Sequence, residues 1–176
     1  MGFNGAMDQG IAGLAGAIAG GLIGITGTLG AARLTGRSQE RAQRDQWRRQ
    51  IRRDAYGQFI SKASQAIAAA EVAHDAARDN QSHAADAYRA LVAAEAALEE
   101  AYVLVMLEGP DEAAESADEA HSRVRAWKIA VGWLLEVSGP RVSRDRALRA
   151  AAEASMLSTD RLHDFTEVCR KSLDDQ

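Results

Sequence analysis

A chain of 176 residues that is 26% charged, carries a formal net charge of −4 and has Cys169 as its only cysteine has length for one domain plus an appendage. It cannot form an internal disulfide, and its single thiol fits a reducing cytoplasm and excludes a Cys-rich zinc site. The charge is unevenly spread: residues 1–53 hold eight Arg against Asp8, Glu40 and Asp45, a net +5, which leaves −9 for the remainder.

Residues 10–32 contain no charge and eight glycines. At ~1.5 Å per residue a helix of this length spans the roughly 30 Å hydrocarbon core of a bilayer. Glycine weakens a helix in water by about 1 kcal/mol per residue, but unsatisfied backbone groups in lipid cost more, so the segment is expected to be a membrane-spanning helix. A cleaved signal would need positive charge ahead of the apolar run, where only Asp8 stands. A buried hairpin and a peripheral helix are the other readings. Ile11, Leu14, Ile18, Leu22, Ile25 and Leu29 fall on one face, and Gly13, Gly16, Gly20, Gly24 and Gly27 on the opposite one. Such a glycine face allows a second backbone to approach closely, as in small-xxx-small packing.

Arg33, Arg37, Arg41, Arg44, Arg48 and Arg52 then follow at spacings of three and four, a basic stripe suited to anionic lipid headgroups or a protein partner. By the positive-inside rule they hold the C-terminal side in the cytoplasm, with the N-terminus outside. Arg outnumbers Lys 18 to three. With abundant Ala this looks like a high-GC bacterial genome, so the membrane expected is the bacterial cytoplasmic one. No groove-reading motif or aromatic platform accompanies the stripe, which argues against nucleic acid as a partner.

The remainder reads as all-α, an antiparallel up-down bundle of four long helices at about 38–78, 82–108, 111–138 and 143–174. The breaks are Asp79-Asn80-Gln81-Ser82, Gly109-Pro110 and Gly139-Pro140, with Pro110, Asp111 and Glu112 starting the third helix and Ser143 with Asp145 capping the fourth. Heptad-like stripes define the expected core. The first helix offers Trp47, Ile51, Ala55, Phe59, Ala63, Ala66 and Ala70; the second offers Tyr88, Leu91, Leu98, Tyr102 and Val105, with Glu95 or Ala94 in one slot. The third offers Ala113, Ala117, Ala120, Val124, Trp127, Val131 and Leu134; the fourth offers Leu148, Ala152, Ser155, Leu162, Phe165 and Cys169. So many alanines imply a thin core and favour homo-oligomerisation. The organisation expected is therefore a membrane segment over 1–36, a basic juxtamembrane helix over 37–53 and an Ala-rich bundle over 54–176.

The run from Trp47 to Phe59, with Arg53, Ala55, Tyr56 and Phe59 in an R-x-A-Y-x-x-F pattern, resembles a broad group of uncharacterised actinobacterial single-pass membrane proteins. The stretch Phe165–Arg170 resembles the closing helix of that group. The likeness covers about a third of the chain and implies a membrane-anchored helical domain, with no activity attached.

Chemistry is sparse. Glu71-x-x-His74, Asp118-x-x-His121 and Asp160-x-x-His163 have the spacing of di-metal bundle motifs. His74 and His121 fall at the edges of their stripes and His163 on another face, so the histidines read as exposed, and neither a metal site nor any other cofactor is expected. Glu95 reads as a core or boundary acid, Trp127 as a packing residue and Trp133 as a surface anchor. No catalytic motif is present, so the function expected is non-enzymatic: a membrane protein whose cytoplasmic bundle assembles with itself or a partner. The alternative is a holin-like, membrane-permeabilising effector built on the same glycine face.

Overall fold

A computed structural model describes residues 43–137 and 142–174. The glycine face from Gly13 to Gly27, the arginines Arg33, Arg37 and Arg41, and the Gly139-Pro140 break lie outside the described residues. Among the described residues no helix is long and apolar enough to cross a membrane. The chain divides into two units, Met1–Arg48 and Arg49–Gln176, and the four-helix core belongs to the second.

The described residues form four helices and no strand: α1 over 43–78, α2 Ala84–Glu108, α3 Asp111–Leu134 and α4 Arg144–Asp174. Cross-contacts at matched heights show an antiparallel ring. Arg52 of α1 reaches Glu108 of α2, Glu95 of α2 meets Lys128 of α3, Glu119 of α3 meets Arg161 of α4, and Arg144 of α4 returns to Ala77 and Arg78 of α1. Short connections leave antiparallel neighbours as the simplest packing, and the apolar stripes close inward.

The breaks are local backbone chemistry. At the end of α1, Gln81 N donates to Ala76 O at 2.9 Å while Asn80 adopts φ 54°, a Schellman termination with Asn in the left-handed position. Gly109 ends α2 in extended backbone, as the residue before a proline must, and its N–H still reaches Val105 O at 2.8 Å. Pro110 stands at the N-cap of α3, where its carbonyl accepts from Ala113 and Ala114. Ser143 Oγ accepts from Arg146 N at 3.4 Å at the start of α4.

The end of α3 differs from the sequence expectation. The helix stops at Leu134, well before Gly139-Pro140, because Glu136 takes φ 56° and Val137 N turns back to Gly132 O at 3.0 Å. A second Schellman motif thus ends α3 on a glutamate, without the glycine that would have announced it.

The core has two centres. One gathers Phe59, Leu98, Val105, Val124 and Phe165; the other gathers Leu91, Trp127, Val131 and Leu134 among alanines. Among the described residues, 17 of the 28 buried apolar residues are Ala, so the helices meet through small contacts and few large side chains anchor them. The α3 stripe is buried at all seven of the positions read from its spacing. The α2 stripe buries Leu91, Leu98 and Val105 but leaves Tyr88 and Tyr102 half-buried, and the ambiguous slot belongs to Glu95, with Ala94 only half-buried.

Two stripes need correction. In α1, Trp47 is 64% exposed and Ile51 half-buried, and full burial begins at Ala55, just above the level where α2 ends beside Arg52. In the first half of α4 the phase is one residue off: Ala147, Ala151, Ala154 and Ser158 are buried, whereas Leu148 and Ser155 are half-buried and Ala152 exposed; further along, Phe165 and Cys169 are buried as expected and Leu162 is half-buried. Close approach to α3 selects the smaller row, and Leu148 moves to the flank. Ser158 tolerates the interior because its Oγ donates to Ala154 O at 2.7 Å. Tyr56, Phe59 and Phe165 form one aromatic cluster, with Phe165 at 4.6 Å from Phe59 and 6.0 Å from Tyr56 in edge-on geometry.

Candidate functional site

The polar groups of greatest interest lie where α2 faces α3. Glu95 and Glu99 are four residues apart on α2 and so share one face; His121 and Lys128, seven apart on α3, share the facing one. Glu95 Oε2 accepts from Lys128 Nζ at 2.7 Å, and its Oε1 lies 3.8 Å from His121 Nε2. Glu99 Oε2 lies 3.1 Å from the same nitrogen. Glu95 and His121 are buried, while the Glu99 side chain remains half in solvent. Tyr102 stacks on the His121 ring at 5.0 Å and 15°, and its hydroxyl donates to Asp118 Oδ1 at 3.0 Å. The ring is thereby held in one plane by residues from both helices.

His121 Nε2 is nonetheless buried without a hydrogen-bond partner, since neither carboxylate oxygen is aligned to accept from it. Buried polar nitrogens are rarely left in this state. The sequence reading of His121 as exposed is therefore corrected: α2 and the Tyr102 ring cover that edge of the α3 stripe. His74 is half-buried, edge-on to Trp127 at 6.2 Å, and burial lowers its pKa below the ordinary value. His163 is exposed, as its face predicted. The i,i+3 spacing identified the wrong partner for His121. Asp118 serves Tyr102, and the acids that reach the imidazole come from α2, which no spacing within α3 could reveal.

The basic stripe divides. Arg44 and Arg48 are exposed on α1, and Arg52 is half-buried with Nε donating to Glu108 O at 2.9 Å. The last turn of α2 contains no basic residue of its own, so Arg52 supplies positive charge to its unsatisfied carbonyls from the neighbouring helix. Arg144 Nη2 does the same for α1, reaching Ala77 O at 3.1 Å and Arg78 O at 2.8 Å. One member of the stripe is thus a structural cap within the bundle.

Two apolar features remain at the surface. Val92, Val103, Leu104, Met106 and Leu107 are exposed along α2, Leu107 by 73%. Trp133, read as a surface anchor, is half-buried and lines a groove of about 380 Å³ between α3 and α4 with Ile129, Ala150 and Leu157. The thiol of Cys169 is buried, and desolvation pushes its pKa up to about 12. No family model, no curated protein and no solved structure matches this chain.

Proposed function

We propose that the chain is a non-enzymatic, single-pass protein of the bacterial cytoplasmic membrane whose helical bundle, on the cytoplasmic side, assembles with a second copy of itself. The observation that carries this reading is the exposed apolar patch towards the end of α2. Val92, Val103 and Leu107 follow helical spacing on one outward face, with Met106 beside them, on a bundle whose own core is mostly alanine. That patch on one helix, interrupted between Val92 and Val103 by the exposed Glu99 and Glu100, falls short of the roughly 800 Å² per partner of a stable interface. Glycine faces built from Gly13, Gly16, Gly20, Gly24 and Gly27 would supply the remainder by packing the spans and holding two bundles at high effective concentration. Arg33, Arg37, Arg41 and Arg44 would set the orientation and meet anionic headgroups.

The mass of the full chain in detergent or nanodiscs tests this reading. Gly20→Leu or Gly24→Leu should lower it, as should Val103→Glu combined with Leu107→Glu; an unchanged mass in both sets removes the proposal. Expression in cells carrying a potential-sensitive dye separates it from membrane permeabilisation. Depolarisation by the wild type that Gly20→Leu abolishes would favour a pore instead.

A further inference from the structure

We infer that Glu95, Glu99 and His121 form a binding site for a divalent transition-metal ion that staples α2 to α3. The three offer one carboxylate oxygen each from Glu95 and Glu99 and the imidazole nitrogen of His121, all within 4.8 Å of one another. One imidazole with two carboxylates is the donor set of borderline cations such as zinc, and of manganese and iron.

The geometry distinguishes this arrangement from an ordinary acid–histidine pair. Two ligand atoms each ~2.1 Å from a common ion, at angles between square and tetrahedral, are separated by roughly 3.0–3.4 Å. In that arrangement the oxygen lies well off the axis of the nitrogen lone pair, because the ion occupies the axis. His121 Nε2 and Glu99 Oε2 are 3.1 Å apart, yet are not aligned for a hydrogen bond. The buried nitrogen is thus flanked by two carboxylates, yet has no hydrogen-bond partner. Glu95 Oε1 lies 3.8 Å from the nitrogen, within the span of two ligands of one ion, and its other oxygen is held by Lys128. Tyr102, stacked on the ring and tied to Asp118, fixes the plane in which Nε2 lies. Glu99, with its side chain half exposed, provides the solvent side through which an ion enters and where water completes the coordination.

The site lies wholly within the bundle, so it stands independently of the membrane reading. The test is a titration of the full-length, tag-free chain in detergent with Zn²⁺ against a chromophoric chelator, alongside thermal unfolding. One ion per chain is expected, with a raised Tm. Glu99→Gln and His121→Gln should each weaken binding by about tenfold or more and abolish the Tm increment. His83→Gln combined with His163→Gln should leave both unchanged, which separates the cluster from adventitious binding at exposed histidines. Glu99→Gln alters a half-exposed side chain and leaves the buried ring in place, so it decides the matter even if His121→Gln folds poorly. Absence of saturable binding to the wild type, or binding that survives Glu99→Gln, overturns the proposal.

Discussion

Lys128 Nζ lies 2.7 Å from Glu95 Oε2, and this contact lets a glutamate occupy a core position of α2. A buried carboxylate without a partner is expensive, whereas a paired one roughly breaks even against an apolar side chain of similar volume. Lys128→Met should therefore lower stability by about 3 kcal/mol, the low end for a broken buried pair since Lys128 is partly exposed, because it strands the Glu95 charge. Glu95→Leu combined with Lys128→Met should recover most of that loss. Urea unfolding of the four species in a double-mutant cycle measures the coupling. A double variant as unstable as Lys128→Met alone would show that Glu95 contributes more than charge pairing.

Backbone conformation supplies predictions that are independent of contacts. Glu136 holds a left-handed conformation in which L side chains are strained, so Glu136→Gly should raise stability by about 0.5–1 kcal/mol. Gly57 sits inside α1, where a Cβ would meet nothing within 4 Å, and Gly57→Ala should gain a similar amount, about 0.5–1 kcal/mol. Gly109→Ala should do the opposite, since its Cβ would lie 2.8 Å from Val105 O. Thermal midpoints of the three variants check the set, and a stabilised Gly109→Ala would contradict the termination described for α2.

The buried thiol makes a prediction about alkaline pH. Cys169 moves from an ordinary value of 9.0 to about 12 in the native state through desolvation, so the fold favours the protonated thiol. Its contribution to stability is complete below the unfolded value of 9.0 and is lost as pH rises towards 12. Tyr56 and Tyr102, both raised chiefly by burial, act in the same direction. Urea midpoints should fall over this window, and less steeply in Cys169→Ala. In native protein at pH 8, alkylation of Cys169 should be about a thousandfold slower than that of a free thiol, by the ratio of thiolate fractions. Labelling at the free-thiol rate would place the side chain in solvent.

Local chemistry made much of this architecture readable. The Gly109-Pro110 break, the Ser143 cap and the buried face of α3 depend on a few neighbouring residues and helical period, and the structure places all three where the pattern put them. Determinants that come from a neighbouring helix were not readable. The first half of the α4 stripe shifts by one residue because packing against the other helices selects Ala147, Ala151 and Ala154 over the larger Leu148, while Phe165 and Cys169 stay inward as read. The end of α3 depends on a strained Glu136, which no propensity favours. His121 became a buried, partnerless nitrogen between two acids only when α2 was laid across α3, and Arg52 became a cap only when Glu108 came to rest beside it. Helix count, order and most inward faces follow from spacings within one segment. Which charges meet, and which polar atom is left without a partner, is decided by the register between segments, a property that no single helix carries.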